Sequence, residues 1–355
     1  MKKRFTVMAV AVMSIVMLAA CAAPPAPTAA PAAPAGTTAA GADTPADASA
    51  DLGDPVNIRL GHVQNENDIW HLASLRFQEE VERLSGGNIS VTIFPNSTLG
   101  GDRDMGEGMQ IGVVDMALIA GVLGVFEPTV LLLELPYLFE SQDEFDKVIH
   151  GASGAEIADN VLNSSGIRIL NWWNRGSRQV TSNRPIYSID DIQGLVIRVP
   201  EIAAMVTTWN VMGASPTPMA WAEVYTGLEQ GVIEAQENPI PFIFSGRIHE
   251  VQDYIALTNH KYEYVTMSMS ELFWQNLTPA QQEIIAEAAN IATEYQNTRV
   301  AELTDEFLDE MVAEGITVTN PDIAGISEVA RTAHEPFAQT IDIELFNRIM
   351  AELGR

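Results

Sequence analysis

The sequence predicts an α/β protein of two lobes that are bridged by one long helix. From Val56 onward, short β-rich runs alternate with amphipathic helical segments, as in helices packed on mixed sheets. About 300 residues follow the N-terminal region, enough chain for two separate cores. A run from Pro279 to Gly315 has no proline or glycine between these two residues. As one helix rising about 1.5 Å per residue it is about 50 Å long and lies across both lobes; two helices with a bend are the alternative.

The N-terminal region precedes the predicted fold. Residues 2–4 are basic and residues 5–18 are apolar, so residues 1–20 are predicted to be a signal peptide. The run L-A-A-C (18–21) resembles a bacterial lipobox and predicts Cys21 as the lipidated N-terminus; a plain signal peptide with an incidental cysteine is the alternative. Residues 22–53 are almost entirely Ala, Pro, Thr, Gly, Ser and Asp, which predicts an extended tether. Together, these features predict an extracytoplasmic protein with a lipid anchor.

Composition excludes several classes of function. Cys21 is the only cysteine, so the chain has no disulfide framework, no cysteine metal site and no thiol nucleophile in the fold. The formal net charge is −28, and removing the bases at positions 2–4 leaves 16 basic against 47 acidic residues, or −31. This excess argues against nucleic acid and anionic lipid surfaces as partners. Because basic residues are few, an arginine at a central position of the fold is a candidate for a specific role.

The first half of the chain is predicted to alternate between strands and helices. In order, these are the strand 56–62, the helix 70–87, the strand 88–94, the helix 103–112, the strand 113–120 and a helical stretch at 141–163. The strand 56–62 alternates apolar and polar residues, and the following helix ends at a Gly-Gly pair. We expect Leu72, Leu75, Val81 and Leu84 to lie on its buried face. Strands separated by helices of this size favour mainly parallel pairing.

The second half repeats the alternation and ends in the long helix. It is predicted to contain the strands 166–173, 177–183 and 194–200, a short helix from residue 188, and helices at 201–213 and 221–231. Thr278, Pro279 and Gln281 supply an N-cap, a proline at the first helical position and a capping-box glutamine for the long helix.

Few residues suggest enzyme chemistry. The sequence lacks the nucleophile elbow, the P-loop, the H-E-x-x-H motif and a dinucleotide-binding G-x-G-x-x-G after a strand. The six histidines show no close ligand spacing; His62 and His71 are candidates for lining a site, although a lone histidine is more often structural. We therefore expect no enzyme activity, no metal and no cofactor. An exported hydrolase or lyase of acidic sugars is the alternative class, and it needs a positioned acid–base pair.

Two arginines follow predicted strands. Arg178 comes after the strand 166–173, and Arg198 closes the strand 194–200. In open α/β sheets, ligands bind beyond the carboxyl ends of the strands. Two guanidinium groups there suit a carboxylate, which each can hold through paired hydrogen bonds. Salt bridges between the lobes are the equally weighted alternative.

Several ordered motifs carry a family resemblance. They are F-P-N-S-T-L-G-G-D-R-D-M (94–105), E-L-P-Y-L-F (134–139), R-Q-V-T-S-N-R-P-I (178–186), G-L-V-I-R-V-P (194–200), G-A-S-P-T-P-M-A (213–220), E-V-Y-T-G-L-E-Q-G-V-I-E-A-Q-E-N-P (223–239) and T-N-H (258–260). Over residues 56–320 the chain resembles the extracytoplasmic substrate-binding proteins of tripartite ATP-independent periplasmic (TRAP) transporters. The resemblance implies a type II-like periplasmic-binding-protein fold that closes on its ligand. We expect lobe I to comprise residues 54–176 and about 263–290, and lobe II residues 177–262 and about 291–355.

The resemblance also implies ligand-binding residues. Arg198 resembles the arginine that binds the ligand carboxylate through two hydrogen bonds, and Arg178 the second arginine near that group. Asn238 resembles the asparagine that orients the carboxylate. Trp221 matches a position where family members pack an aromatic ring on the ligand, and Glu201 a position that lines the pocket.

The ligand class is narrowed by departures from the family pattern. Val63 and Ala120-Gly121 replace polar and acidic residues of sialic-acid-binding members, so sialic acid is not expected. The further candidates for the pocket are Trp70, Trp172, Trp173, His71, Gln64, Asn65, Asn67 and Arg175. Aromatic rings suit a sugar acid such as a uronate, whereas Arg175 as a partner for a second carboxylate suits a C4-dicarboxylate. We expect a monomer that delivers the ligand to a membrane permease, with presentation to a sensor as the alternative.

Overall fold

The computed structural model describes residues 52–355. The predicted signal peptide, Cys21 and residues 22–51 of the predicted tether lie outside the described residues. Within residues 52–355, no helix combines the length and the apolar character needed to cross a membrane.

Residues 52–355 form ten strands and thirteen α-helices. The strands are β1 (Val56–Gly61), β2 (Ile89–Phe94), β3 (Met116–Ile119), β4 (Ile167–Ser182), β5 (Val196–Val199), β6 (Ser215–Pro218), β7 (Ala235–Pro239), β8 (Tyr254–Ala256), β9 (Tyr262–Ser270) and β10 (Thr317–Thr319). The helices are α1 (Ile69–Leu84), α2 (Asp102–Gln110), α3 (Gln142–Ile149), α4 (Ala152–Ser165), α5 (Ile189–Ile192), α6 (Ala203–Val211), α7 (Val224–Glu229), α8 (Ile240–Ser245), α9 (Glu271–Trp274), α10 (Pro279–Ala313), α11 (Ile323–Arg331), α12 (His334–Ala338) and α13 (Ile343–Glu352). The predicted α/β class is confirmed.

Two mixed sheets share one strand, β4. In the first sheet the strand order is β2-β1-β3-β9-β4, with β1 parallel to β2 and β3, and β9 antiparallel to β3 and β4. In the second sheet the order is β4-β7-β5-β6, with β5 parallel to β6 and β7, and β7 antiparallel to β4. The mainly parallel pairing that the sequence favours therefore holds among β1, β2 and β3 and among β5, β6 and β7, whereas β4 and β9 pair antiparallel with their neighbours.

The crossing strand β4 differs from the prediction of two separate strands. It runs unbroken for 16 residues and pairs first with β9 and then with β7 and β8. Gly176 has φ +80°, a conformation that favours glycine, and the pairing register with β9 shifts between Asn174 and Gly176. Gly176, which lies between the two predicted strands, is thus part of a bulge within one strand.

The long helix α10 is confirmed as one element of 35 residues. Thr278 caps it, because its side chain accepts a hydrogen bond from the Gln281 N–H while the Gln281 side chain bonds the Thr278 N–H. The helix packs against α1, β4 and α8. Ile285 near its start belongs to the main core, and Met311 near its end belongs to an apolar cluster of lobe II. The helix therefore spans both lobes.

The predicted buried face of α1 is partly wrong. Leu72 and Leu75 are each 37% exposed and border a surface groove beside α10, whereas Ala73, Phe77 and Val81 are fully buried. The helix carries apolar residues on two faces because it packs on both β2 and α10. Periodicity alone does not show which of two apolar stripes faces the core.

The division of the chain between the lobes stays a prediction. The last helix, α13, contacts α3 and α4. These contacts favour placing α13 with lobe I rather than with lobe II.

Candidate functional site

Arg198 is a buried cation at the end of β5 with no acidic partner. Its side chain is 4% exposed, and its Nε and Nη2 atoms donate to the carbonyl oxygen of Met219 at 2.9 and 2.6 Å. Among residues 52–355, no carboxylate oxygen lies within 4.0 Å of it. Burial lowers the pKa of Arg198 to about 10, although the charges of Glu237, Asp102 and Glu201 oppose this shift from a distance. A buried guanidinium that contacts no counter-charge is costly, so this position is suited to an anion that arrives from outside.

Arg178, in contrast, is fully engaged by protein carboxylates. Its Nε and Nη2 atoms both bond the carboxylate of Glu237, with Nη2 to Oε1 at 2.7 Å, and Nη1 donates to Glu263 Oε2 at 2.6 Å. Burial opposes the charge, but the two acids raise the pKa of Arg178 above its ordinary value. The two arginines therefore differ: Arg178 forms ion pairs between strands, and Arg198 forms none within 4.0 Å among the described residues.

Arg175 is a third buried arginine, and it is only partly compensated. Its guanidinium lies 4.7 Å from the ring centre of Trp70 and 4.4 Å from that of Phe242. Its one ion-pair partner within 4.0 Å among residues 52–355 is Glu263, with Oε2 3.8 Å from Nη1, and the more distant charges of Asp68 and Asp102 also favour the cation. The Nη2 atom is buried and has no hydrogen-bond partner among the described residues. Aromatic faces stabilise the cation, but they leave hydrogen-bond donors unused.

A cluster of buried charged residues contacts Arg175 and Arg178. Lys261 Nζ lies 2.8 Å from Glu263 Oε1 and 2.9 Å from Glu134 Oε2, and His260 Nε2 lies 2.9 Å from Glu237 Oε2. Burial alone raises the pKa of Glu263, but the charges of Lys261, Arg178 and Arg175 lower it to about 2. The cluster fixes the side chains that surround the site and lowers the pKa of Glu237 and Glu263, whereas burial raises the pKa of Glu134.

Two connected chambers lie in front of the arginines. The inner chamber has a volume of about 40 Å³ and is lined by Val63, Trp70, Asp102, Ala120, Val122, Arg175, Arg178, Arg198, Pro200, Ile202, Trp221, Asn238, Phe242 and Glu263. The outer chamber has a volume of about 290 Å³ and shares Val63, Asp102, Val122, Arg198, Pro200 and Trp221 with the inner one. A single water needs about 10–15 Å³. The inner chamber thus has room for a carboxylate group, and the outer one for the remainder of a small molecule.

Several predicted site residues meet at these chambers. Asn238 lines the inner chamber, and its Nδ2 donates to Gln236 Oε1 at 2.7 Å, which leaves a second amide hydrogen to donate. Trp221 lines both chambers, packed 4.3 Å from the ring of Phe242. Glu201 lies exposed at the outer chamber.

Other predicted site residues lie outside the linings of both chambers. Gln64 borders an adjoining cavity of about 460 Å³ that shares Val63 and Trp221 with the outer chamber, and its Nε2 donates to Asp68 Oδ2 at 2.9 Å. His71 contacts His62, with Nδ1 3.1 Å from His62 Nε2, and lies outside the linings of both chambers. Trp173 is fully buried, and its Nε1 donates to Thr293 Oγ1 of α10 at 2.9 Å. The remaining candidates outside both linings are Asn65, Asn67 and Trp172.

We expect Trp173→Phe to reduce stability without changing ligand affinity. The substitution leaves Thr293 without its partner and removes ring volume from the core, so the free energy of unfolding should fall by about 1–3 kcal/mol. Chemical denaturation measures the loss, and calorimetric titration should give a dissociation constant within about threefold of the wild type. A tenfold weaker ligand affinity in a folded variant would place Trp173 at the ligand.

Several residues in and around the site were not predicted from the sequence, among them Glu237, Asp102 and Phe242. Glu237 immediately precedes Asn238 in the Q-E-N-P motif, so its place next to the arginines was open to inference. Asp102 lies within the motif at 94–105, but it is one of 47 acidic residues, so its sequence position alone does not mark it as a site residue. Phe242 is one of twelve phenylalanines and gives no separate signal.

Direct contacts join the two lobes beside the chambers. Ser245 Oγ of α8 donates to Asp68 Oδ2 at 2.5 Å, and Asn65 Nδ2 donates to the Ser245 carbonyl oxygen at 2.7 Å. The rings of Trp70 and Phe242 lie 5.7 Å apart. Among residues 52–355, no group of three or more His, Cys, Asp or Glu side chains is placed to hold a metal ion. The hydrogen bonds of Ser245 and the contact of Trp70 with Phe242 close the cleft beside the chambers.

Comparisons with known proteins agree with this architecture. Residues 60–340 match the profile of "Bacterial extracellular solute-binding protein, family 7". A solute-binding protein of Roseobacter denitrificans is 36% identical over 81% of this chain and 88% of its own length. A crystal structure of a TRAP periplasmic solute-binding protein from Roseobacter denitrificans, with bound L-galactonate, is 34% identical and has a TM-score of 0.80 over 84% of this chain and 99% of that chain. The C4-dicarboxylate-binding periplasmic protein of Rhodobacter capsulatus is 29% identical over 84% of this chain and 92% of its length.

Proposed function

The chain belongs to family 7 of the bacterial extracellular solute-binding proteins, the solute receptors of TRAP transporters, and on that premise we propose that it captures a sugar acid on Arg198. The carboxylate enters the inner chamber and accepts hydrogen bonds from Arg198 and Asn238. The hydroxylated remainder occupies the outer chamber. The closed receptor then delivers the acid to a membrane permease.

The observation that carries this proposal is that the buried Arg198 contacts no acid within 4.0 Å among residues 52–355. Three buried arginines line the inner chamber, and Arg178 is already neutralised by two carboxylates. A ligand carboxylate at Arg198 gains charge-assisted hydrogen bonds and removes the cost of an isolated buried cation. Arg178 then affects the ligand indirectly. It holds Glu237 and Glu263 in place, and its positive charge attracts the ligand carboxylate without a direct hydrogen bond.

A sugar acid fits the other walls of the site. Trp221 offers an aromatic face to the apolar side of a sugar-like chain, and Glu201 and Asp102 offer acceptors for hydroxyl groups. The relative crystallised with bound L-galactonate supports this class of ligand.

A C4-dicarboxylate is the second candidate. The unused Nη2 donors of Arg175 favour it, because a second carboxylate at that atom would satisfy a buried orphan group. The similarity to a C4-dicarboxylate-binding protein supports the same alternative.

Calorimetric titration of the purified protein tests the proposal. The panel comprises galactonate, galacturonate, glucuronate, succinate and malate, with neutral galactose as the control that lacks a carboxylate. We expect a sugar acid to bind more tightly than either dicarboxylate and galactose not to bind. The proposal fails if no small carboxylate binds. Tighter binding of succinate or malate selects the second candidate.

Lobe closure should contribute to this affinity. Ser245→Ala removes the hydroxyl donor to the buried Asp68, whose pKa is raised to about 6 by burial. Because binding and closure are coupled, we expect about tenfold weaker sugar-acid binding, although Ser245 lines neither chamber. The exposed Ser164→Ala on α4 is the matched control and should bind like the wild type. Equal affinity of the two variants would show that this contact does not stabilise the closed state.

The position of the receptor in the cell follows from the same premise. The family is extracellular by its description, and we infer that lipidation of Cys21 anchors this member through the tether of residues 22–53. Mass spectrometry of the membrane fraction tests this by detecting an acylated N-terminal cysteine, which Cys21→Ser should abolish.

We also infer that the protein binds its ligand without converting it. We expect the bound acid to be recovered unchanged after long incubation with the protein. A converted product would support the alternative of an exported enzyme.

A further inference from the structure

The adjoining cavity opens directly from the outer chamber. It has a volume of about 460 Å³, against about 290 Å³ for the outer chamber, and the two spaces share Val63, Ser97, Trp221 and Ala222. Its volume is in the range of small-molecule sites, about 300–1,000 Å³. Because four residues line both spaces, a ligand held in the outer chamber can extend into the adjoining cavity.

One wall of the adjoining cavity has an unusual backbone conformation. Among the described residues, five residues other than glycine have a positive φ, and three of them line this cavity: Asn96 at +57°, Ser97 at +55° and Arg247 at +56°. This left-handed conformation is unfavourable for residues that carry a Cβ atom, and least so for asparagine. The Asn96 N–H donates to the Gln64 carbonyl oxygen at 2.8 Å, and the Ser97 N–H donates to that of His62 at 3.2 Å, so the turn is fixed from the loop after β1. Backbone strain of this kind clusters at functional sites.

Trp221 supplies an aromatic wall to the outer chamber and to the adjoining cavity. Its ring lies 4.3 Å from the ring of Phe242. A Cβ atom on Gly246 would lie 2.6 Å from the Trp221 ring, so the ring packs there only because residue 246 has no side chain. These two contacts fix the position of the ring. An aromatic surface suits the apolar face of a sugar ring.

The polar groups of the adjoining cavity suit a neutral, hydroxylated partner. The Asn96 amide and the Ser97 hydroxyl form no hydrogen bond with other described residues, so both can bond ligand hydroxyl groups. Arg247 is the one cation among the described lining residues, and its Nε and Nη2 atoms contact Glu250 Oε1 at 2.7 and 2.6 Å. A second carboxylate would therefore find no unpaired cation in this cavity, in contrast to the first carboxylate at Arg198.

We propose that the adjoining cavity is a second sugar subsite, which binds a neutral hexose unit attached to the sugar acid. The ligand class then extends from single sugar acids to disaccharide acids, with the carboxylate at Arg198 and the second unit beyond Trp221. This inference rests on the proposed function. It assigns a ligand-binding role to Asn96 and Tyr225, which line the adjoining cavity but neither chamber.

The test compares acids that share one carboxylate-bearing unit. Gluconate is the single acid, lactobionate carries a galactose unit on O4 of gluconate, and melibionate carries a galactose unit on O6. Lactose is the control that has both hexose units but no carboxylate. Each compound is titrated calorimetrically into the wild-type protein.

We expect at least one of the two disaccharide acids to bind about tenfold more tightly than gluconate. The second unit adds contact with Trp221 and hydrogen bonds to the adjoining cavity. Lactose should not bind, because it brings no anion to Arg198.

Two variants locate the second unit. Asn96→Gly removes the amide and keeps a residue that adopts positive φ, and it should weaken binding of the disaccharide acid by about 3- to 10-fold. Tyr225→Ala removes a ring from the cavity wall and should weaken the same binding by about tenfold. Both variants should bind gluconate within about threefold of the wild type. The exposed Asn320→Gly and Tyr187→Ala are the matched controls and should leave every affinity unchanged. Circular dichroism confirms that all four variants are folded.

Two results would overturn the inference. One is that neither disaccharide acid binds more tightly than gluconate. The other is that Asn96→Gly and Tyr225→Ala both bind the disaccharide acid like the wild type, which would place the second unit elsewhere. If this inference alone is wrong, single sugar acids still bind and Arg198→Ala still weakens their binding. If the proposed function is wrong, no small carboxylate binds.

Discussion

Replacing Arg198 by alanine is expected to weaken sugar-acid binding by about 30- to several thousand-fold. The ligand carboxylate would lose a buried, charge-assisted partner, and removing one member of such a pair costs about 2–5 kcal/mol. Arg198→Lys should be intermediate. A lysine keeps the charge but lacks the planar fork that binds the Met219 carbonyl and a carboxylate together. Calorimetric titration measures both variants.

Two comparisons make the Arg198 result specific. Arg348→Ala, an exposed arginine that pairs with Glu156, should bind the ligand like the wild type. Burial of an unpaired cation is unfavourable, so Arg198→Ala should also be at least as stable as the wild type when no ligand is present. Unchanged affinity in a folded Arg198→Ala protein would remove the basis of the proposed function.

Replacing Glu263 by glutamine is expected to lower the free energy of unfolding by about 3–5 kcal/mol. Glu263 is buried and contacts three cations: Lys261 at 2.8 Å, Arg178 at 2.6 Å and Arg175 at 3.8 Å. A glutamine has the same size but no charge, and its amide group presents hydrogens to donors that need an acceptor. Urea denaturation at pH 7 measures the loss.

The control and the pH dependence of Glu263 follow from the same charges. Glu156→Gln breaks the exposed pair with Arg348 and should cost no more than about 1 kcal/mol. Because the folded pKa of Glu263 is lowered to about 2, its contribution to stability is present above its unfolded pKa near 4.5 and disappears as the pH falls toward 2. A loss below about 1 kcal/mol for Glu263→Gln at pH 7 would contradict the view that this acid holds the cluster together.

Local patterns were sufficient to predict the long helix and the position of Arg198. The helix α10 has a complete capping signal at Thr278 and no breaking residue before Gly315, so nothing beyond its own sequence was needed. Arg198 ends an apolar strand in a chain with few bases, which makes its charge conspicuous. The long helix and the position of Arg198 each depend on residues that are close together in the sequence.

The different roles of Arg178 and Arg198 were not predictable in this way. Glu237 and Glu263, which neutralise Arg178, are 59 and 85 residues away along the chain. They reach it only because β7 and β9 pair with β4. The same holds for Trp173, because its hydrogen-bond partner Thr293 is 120 residues away on α10. Which polar group finds a partner depends on long-range strand pairing and helix packing, and these leave no local pattern.

The most direct test of the carboxylate site is a crystal structure of the protein with a bound sugar acid such as galactonate. We predict that the carboxylate lies in the inner chamber and accepts hydrogen bonds of about 2.7–2.9 Å from Arg198 and from Asn238. The hydroxylated chain should extend past Trp221 into the outer chamber. A ligand bound elsewhere, or one whose carboxylate points to solvent while Arg198 keeps no anionic partner, would contradict this assignment.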